Sequence, residues 1–599
     1  MTGSRSEYFS RWGDRLVAGL IAVGALALLW GTLNDYGMAW DEGFTIERED
    51  RLREWFGRIT GDSTAASQAW SPRLSKLETR SAYQRNAGLS VWSPWSPASL
   101  RFYWQFAREE PNGHPPFYAL LGLAGWAVSH SFLAAPGSYR FGPAVLFSLT
   151  LGAVYGLMAR HYGRSAGLMA ALGLLAMPRM FAHAHLASYD APTLCLWFLA
   201  VAAFLQAVES PPTAGSRLWG WTIAFGVAWG CAAATKFTGW FIPFPLVAWA
   251  GFYRDRRAAR TLIQGGIVAA LVVYVLNPTW WADPVGGVGT FLRSNLTRQQ
   301  LLPIPTLFFG RLYLFSLPWY NTLVLTTIVV PPAILVLALV GGGRLIAGRF
   351  RDRVGTLLLG CWAFFMVLRA LPNAPGHDGE RQFLAAFVFL ACLSGIGLAT
   401  IADGLERYVG GRRLARPLVA LVLTGVVGSG AWSTWRYHPL QLSYYNVMIG
   451  GLSGATRAGL EPTYYWEAVT PDVRDWLNAQ TEKGRTLAFV FPAVTFEYLH
   501  HWGLLKPYPL TYRGREARWF VLMNRPGHLQ YPGNTLGQYL LDHVKPVYVK
   551  ALDVAPDVPL IAIYEGKDAL EADLDRIRGT EGGPPPKAKT GHPSDSQTK

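Results

Sequence analysis

Long apolar stretches recur along this chain, and short loops rich in arginine separate many of them. Each stretch runs for about 17 to 20 nearly uncharged residues, the length a helix needs to cross a hydrocarbon layer of roughly 30 Å. Segments 16–33, 141–159, 166–182, 191–208, 218–235, 237–252, 261–277, 321–341, 354–371, 383–401 and 415–433 meet this description. Inside lipid only a helix or a closed barrel satisfies every backbone donor and acceptor. The predicted fold class is therefore a polytopic α-helical membrane protein of about 11 transmembrane helices, with a small C-terminal α/β domain on the exoplasmic side.

Composition agrees. Of 599 residues, 51% are hydrophobic and 16% charged, and 25 are Trp, a balance too apolar and aromatic for an ordinary soluble chain. The formal charge of +15 does not indicate nucleic acid. A basic groove needs its charges gathered on one face, and here they are scattered between apolar segments. The four cysteines, Cys195, Cys231, Cys361 and Cys392, all fall in apolar segments without metal-ligand spacing and read as small buried hydrophobes.

Arginine placement orients the map. Loops Arg160 to Arg164, Arg254 to Arg260, Arg344 to Arg353 and Arg407 to Arg416 carry the inter-span positive charge, so they and the N-terminus are placed on the cytoplasmic side. Residues 16–33 show no small-residue cleavage site and read as a retained first span. Eleven crossings that start inside finish outside. Segment 115–133 breaks the alternation because both its ends belong outside, so it is predicted to be a re-entrant or interfacial helix. The domain plan is a transmembrane domain over 1–433 with exoplasmic loops 34–114 and 278–320, an α/β domain over 434–577, and a disordered tail over 578–599. Strands are expected at Thr486 to Phe491, Trp519 to Met523 and Leu560 to Tyr564. The tail has almost no apolar residues with which to bury surface.

The polar clusters collect at the exoplasmic ends. Trp40, Asp41 and Glu42 follow the first span, and a carboxylate there suits the work of a general base if its surroundings tune it; otherwise it is an exposed acidic pair. His183, His185, Tyr189 and Asp190 lie in a short turn between two apolar spans. An ionisable group at that depth marks a functional site or a satisfied internal pair. The two histidines, two residues apart, make a poor metal pair and suit hydrogen bonding in the turn better. Lys236 is the only lysine between residues 77 and 482 and stands where two spans meet. It can pair with a phosphate or with Asp190, or snorkel to the interface. His377, Asp378 and Arg381 end another outward turn. Arg381 offers a rigid fork that matches a phosphate, or an interfacial anchor. His114 precedes the rigid pair Pro115-Pro116 and fixes where segment 115–133 begins.

The order of these pieces resembles the GT-C glycosyltransferases of the protein O-mannosyltransferase and aminoarabinose-transferase-like group. That family shows an acidic pair after the first span (Asp41-Glu42), His-Pro-Pro (His114 to Pro116), an Asp before a span (Asp190) and Thr-Lys at a span junction (Thr235-Lys236). Tyr444-Tyr445-Asn446 followed by Gly450-Gly451 resembles a stretch that bacterial members carry. The resemblance covers roughly residues 20 to 450. It implies a GT-C-like fold and an inverting transfer of sugar from a polyprenyl-phosphate donor, of undecaprenyl type in bacteria, to an exoplasmic glycan, lipid or protein. Asp41 is then the base, Glu42 helps to position the acceptor or donor, and Asp190 completes the catalytic set. Lys236 and Arg381 hold the donor phosphate, with His377, Asp378, His114, His185 and Tyr189 around the substrate. A bacterial inner-membrane location with the C-terminal domain in the periplasm follows from the same resemblance. Whether a divalent cation assists Asp41 and Glu42 is left open.

The rival reading from the residues is a transporter or flippase of a lipid-linked substrate, since charges among many spans also mark transport pathways. No repeat of the span pattern relates the two halves, and the polar clusters gather on one face instead of at mid-bilayer. Both features favour the transferase.

Overall fold

The computed structural model describes residues 3–61, 94–104, 114–211, 215–297, 303–480, 487–489, 493–506, 517–531 and 535–580. Among these, seven helices are long and apolar enough to cross a membrane: Trp12–Thr32, Gly137–Tyr162, Asp190–Glu209, Arg256–Leu276, Arg353–Ala370, Ala386–Tyr408 and Arg412–Arg436. Five shorter apolar helices accompany them: Phe117–Ser129, Arg164–Leu175, Leu218–Ala233, Phe237–Phe252 and Pro332–Ala347. Each of the eleven predicted spans falls on one of these helices. Two spans that read as continuous are broken by proline, which lacks an N–H and forces the residue before it toward extended backbone. Val330 (ψ 139°) separates Asn321–Val329 from the helix opening at Pro332, and Met177 (ψ 114°) separates Arg164–Leu175 from Pro178–His183.

The arginine loops meet at one end of the bundle. Arg164 pairs with Asp14 at 2.6 Å, Tyr162 donates to Asp352 at 2.9 Å, Arg160 pairs with Glu209 at 3.0 Å, and Arg353 pairs with Asp255. The other ends of the same helices carry Asp41, Asp190 and Arg381. The anomalous segment forms helix Phe117–Ser129, and both its flanks are tied to this second end. The Phe117 N–H donates to Ala234 O at 2.8 Å, and the Gly137 N–H donates to Asn34 Oδ1 at 2.8 Å. A 13-residue helix is about 20 Å long. With both ends on one side of the bundle, it does not cross to the other side, and it packs against Gly137–Tyr162. The approach is close at Gly125, where a Cβ would lie 2.2 Å from the backbone N of Gly142.

Loop 34–114 holds an unexpected element. Helix Glu42–Thr60 is rich in charge, yet Glu47, Arg48, Glu49, Asp50, Arg51, Arg53 and Glu54 are all buried along with Ile46, Leu52 and Trp55. Most of these charges have partners, and three pairs lie within the helix itself: Arg51 with Glu47, Arg53 with Asp50 and Arg58 with Glu54. Arg48 donates to the Tyr118 hydroxyl at 2.5 Å, and Asp50 accepts from Tyr139 at 2.8 Å and Tyr498 at 2.9 Å. Loop 278–320 also contains structure absent from the sequence reading. Thr306–Phe308 (β1) and Arg311–Tyr313 (β2) form an antiparallel hairpin whose turn uses Gly310 at φ 71°.

The C-terminal region forms a four-stranded sheet in the order β3-β4-β6-β5: Leu487–Phe489, Trp519–Met523, Ile561–Glu565 and Tyr548–Lys550. Three of these fall on the predicted strands, and β5 was missed. Alternation along the strands splits the sheet's two faces. Trp519, Val521, Met523, Ile561 and Ile563 join the core shared with the membrane helices. Leu522, Ala562 and Tyr564 pack with residues of helices Thr535–His543 and Gly566–Thr580. The last helix reaches Thr580, and the rest of the expected tail lies outside the described residues.

Candidate functional site

Four span ends and one C-terminal segment converge on Arg381. Its Nη2 donates to Asp41 Oδ2 at 2.6 Å, its Nε to Asp190 Oδ2 at 2.9 Å and its Nη1 to Asp378 Oδ2 at 2.6 Å. Nη2 also reaches the Tyr189 hydroxyl. Lys236 Nζ donates to the other oxygen of Asp190 at 2.6 Å. Arg525, from the C-terminal sheet region, donates to Asp378 Oδ1 at 2.8 Å. Three carboxylates thus face three cations, which keeps a buried cluster neutral. Burial of charge is tolerated on those terms and on few others.

The three carboxylates differ. Asp190 is fully buried and Asp378 is 10% exposed, whereas Asp41 is 24% exposed. Asp41 Oδ2 accepts from Arg381, from the Tyr189 hydroxyl at 2.7 Å and from the Tyr465 hydroxyl at 2.8 Å. No donor among the described residues meets Oδ1. Burial pushes the Asp41 carboxyl up, but the Arg381 charge and the two tyrosine hydroxyls outweigh it and hold the group below the ordinary Asp range. The result is a charged carboxylate with one anchored oxygen and one open oxygen.

The structure brings together Asp41, Tyr189, Asp190, Lys236, Asp378 and Arg381 from the sequence-derived set. His114 joins them by packing its ring 3.6 Å from that of Tyr189. His377 lies at the edge, with Nε2 at 3.1 Å from Gln382 Nε2. Glu42 and His185 stand elsewhere. Glu42 turns away from its neighbour Asp41 and binds Arg140 Nε and Nη2, each at 2.8 Å, and the N–H groups of Ala39 and Ala187, also at 2.8 Å. Adjacent residues at a helix start point in different directions, so the two carboxylates face different partners. His185 stacks on Tyr36 and lies within hydrogen-bond distance of Thr32 Oγ1 (2.7 Å) and Phe181 O (2.7 Å).

Two members were missed from the sequence. Tyr465 and Arg525 lie beyond the part of the chain covered by the resemblance, in segments that carry no periodic signal. The run Tyr464-Tyr465-Trp466 in a polar stretch was the available hint. Arg140 and Arg179 were missed as well. Each is a buried arginine at or within an apolar segment, paired to Glu42 at 2.8 Å and Glu380 at 2.5 Å, and such a residue announces a partner by its position. No group of three or more His, Cys, Asp or Glu among the described residues is arranged to hold a metal ion. Of the six carboxylate oxygens of Asp41, Asp190 and Asp378, five accept from Arg381, Lys236 or Arg525, so this cluster offers a poor donor set for a divalent cation.

No curated protein sequence matches the chain. Among solved structures, ArnT from Cupriavidus metallidurans in the apo state is 14% identical, with 91% of this chain and 97% of that one covered and a TM-score of 0.49. The Archaeoglobus fulgidus oligosaccharyltransferase in the apo form is 12% identical, with 88% and 71% covered and a TM-score of 0.48. Residues 113–281 match the family model described as dolichyl-phosphate-mannose-protein mannosyltransferase. Over this stretch, which carries His114, Tyr189, Asp190 and Lys236, the chain is similar to membrane glycosyltransferases of that family.

Proposed function

We propose that this protein is an integral membrane glycosyltransferase that moves a sugar from a polyprenyl-phosphate donor to an acceptor at the bundle end opposite the arginine loops. The open Oδ1 of Asp41 carries the reading. A base must be ionised, fixed and reachable, and Asp41, whose side chain is 24% exposed, combines an anchored Oδ2 with an Oδ1 that no donor among the described residues meets.

In the proposed step, Oδ1 takes the proton of an acceptor hydroxyl as that oxygen attacks the anomeric carbon. The bond from that carbon to the phosphate oxygen breaks, and its electron pair leaves with the phosphate. Attack from the face opposite the leaving group inverts the anomeric centre. Lys236 and Arg381 are the cations within reach of that phosphate, and both are now bound to Asp190. A phosphate entering between them shares both cations with Asp190, so the buried carboxylate keeps its partners while the donor binds. The prenyl chain stays in the bilayer beside the span ends. We place the acceptor side in the periplasm of a bacterial inner membrane, with the N-terminus cytoplasmic and residues 434–577 as an exoplasmic domain. The acceptor is a glycan, lipid or protein.

The test is sugar release from a labelled polyprenyl-phosphate donor by purified protein in nanodiscs, comparing wild type with Asp41→Asn and with chelator present. Consumption by wild type alone supports the reading, and chelator sensitivity reports on any metal contribution. A protein that binds the donor tightly and never consumes it is a transporter instead. Labelling of single cysteines placed at 411 and 447 from each side of sealed vesicles checks the orientation.

A further inference from the structure

The cluster around Arg381 is completed from outside the membrane helices, by a residue more than 140 positions further along the chain. Arg525 follows strand β4, is 1% exposed, and holds Asp378 Oδ1 at 2.8 Å while Asp378 Oδ2 binds Arg381 at 2.6 Å. The order is Arg525, Asp378, Arg381, Asp41, each joined to the next by a charge-assisted hydrogen bond. Backbone geometry fixes the middle of this chain. Asp378 adopts φ 59° and Trp466, whose ring lies under the Arg525 guanidinium at 5.1 Å, adopts φ 63°. Non-glycine residues rarely adopt such values, and those that do gather where surrounding structure enforces a function.

We infer that Arg525 is a positioning residue for Asp41: by neutralising Asp378 it leaves Arg381 free to hold the base. This rests on the reading of Asp41 as the base. Arg381 has one guanidinium to divide among three carboxylates. With Arg525 present, Asp378 is satisfied from its other oxygen. Without Arg525, Asp378 keeps a full negative charge against Arg381 Nη1 and draws the guanidinium toward itself, away from Asp41. Asp41 then keeps the hydroxyls of Tyr189 and Tyr465 and loses its main opposing charge.

The groups facing Asp41 and its partners come from several elements, and His183, beside Tyr465 and Asp190, is held with Arg179 by Glu380. Tyr189 and Asp190 come from the start of helix Asp190–Glu209, and Asp378 and Arg381 from the outward turn at 376–383. Tyr465 comes from the C-terminal segment and Lys236 from the junction before Phe237–Phe252. His114 and Tyr118 lie against the Tyr189 ring. Glu461 acts on Asp378 and Arg525 from the same side as β1. Of these, Arg525 is the cation that touches Asp378 without touching Asp41 or Asp190.

The experiment compares Arg525→Gln and Arg525→Lys with wild type in two readouts. The first is the acid limb of the kcat/KM profile for a labelled polyprenyl-phosphate sugar. The second is independent of activity: the pH at which a water-soluble carbodiimide, which attacks protonated carboxyls, half-modifies Asp41 as read by peptide mass spectrometry. Weakening an opposite charge a few ångströms away raises a carboxyl pKa by about 1 unit. Arg525→Gln is expected to move both readouts up by about that much, and Arg525→Lys to restore most of the shift. Lys550→Gln, which removes a surface pair with Asp472 in the same domain, is expected to move neither. A folded Arg525→Gln protein with both readouts at their wild-type positions overturns the inference. Should Arg525→Gln not fold, a wild-type-like Arg525→Lys profile supports the inference. An Arg525→Lys profile in which activity falls while neither readout moves overturns it. A wild type that consumes no donor, with the carbodiimide shift intact, removes the transferase reading and leaves the positioning role standing.

Discussion

Arg381 Nη2 sits 2.6 Å from Asp41 Oδ2 across 340 positions of sequence. The contact closes loop 34–114 onto the turn before helix Ala386–Tyr408. It also holds the Asp41 carboxyl below the ordinary Asp range against the upward push of burial. An anchored, charged carboxylate with one open oxygen makes specific demands on its variants.

Asp41→Asn keeps the shape of the side chain and removes both the proton acceptor and the charge facing Arg381. Arg381 retains Asp190 and Asp378, so the variant is expected to fold and insert. Loss of a positioned general base lowers the rate by roughly 10²- to 10⁴-fold. Donor turnover measured on protein with a wild-type thermal midpoint checks this, and full turnover would remove Asp41 from the chemistry.

Glu42→Gln should behave in the opposite way. Glu42 and Arg140 are both fully buried, and the carboxylate also accepts two backbone N–H groups. Neutralising one side leaves a buried charge uncompensated, at a cost of about 3 to 5 kcal/mol. The expected result is a sharp fall in thermal midpoint and yield, with near-normal turnover per folded molecule. A stable but inactive Glu42→Gln protein would return Glu42 to the catalytic set.

The contrast between these neighbours marks what sequence can and cannot disclose. Apolar stretches of spanning length announced the helices, because membrane solvation leaves a chain few other choices. Arginine placement sorted the loops, and the pairs Arg164 with Asp14 and Arg353 with Asp255 lie at the common end it implied. Lys236 stood out by its isolation and proved to face Asp190, one of the two partners its position suggested. Asp41 and Glu42, by contrast, were indistinguishable as letters, since the direction of a side chain depends on where Arg140 and Arg381 lie in space. Tyr465 and Arg525 were illegible for the same reason. Their role comes from a C-terminal fold whose short strands give little periodic signal. Helix Glu42–Thr60 read as an exposed loop because the groups that cover it, such as Tyr118, Tyr139 and Tyr498, reach its charges only through tertiary contacts.

Glu461 gives the C-terminal region a pH dependence. Its Oε1 accepts from the N–H groups of Leu307 and Gly527, while Oε2 is buried without a partner. Burial pushes its carboxyl up from 4.5 to about 7, against the pull of Arg525 and the two N–H groups. A raised carboxyl binds its proton more tightly in the folded state. Stability is then greatest below pH 4.5 and declines as pH rises toward about 7. Glu461→Gln holds one carbonyl oxygen in place and removes the titration. The variant is expected to flatten the decline in thermal midpoint between pH 5 and 8, a difference on the order of 2 to 3 kcal/mol. An unchanged slope would assign the pH dependence to other groups, Asp50 foremost, whose carboxyl burial raises to about 6.

Lys236 and Arg381 were expected to share one task, and the structure predicts that their variants part company. Lys236 contacts a single carboxylate, Asp190, which keeps Arg381 Nε at 2.9 Å when the lysine is removed. Lys236→Gln should therefore fold. It should lose a charge-assisted contact to the donor phosphate of about 1.5 to 3 kcal/mol, a rise in donor KM of roughly ten- to hundredfold with acceptor KM unchanged. Arg381 holds three carboxylates at once, and Arg381→Ala leaves them with Lys236 and Arg525 alone. That variant is expected to fail in folding before its donor use can be read, by about 3 to 5 kcal/mol for an uncompensated buried charge. Measuring donor and acceptor KM for Lys236→Gln alongside thermal midpoints for both variants separates the roles. A Lys236→Gln protein with normal donor KM and a lowered midpoint would make the lysine a structural counter-ion of Asp190, and the phosphate would then depend on Arg381 alone.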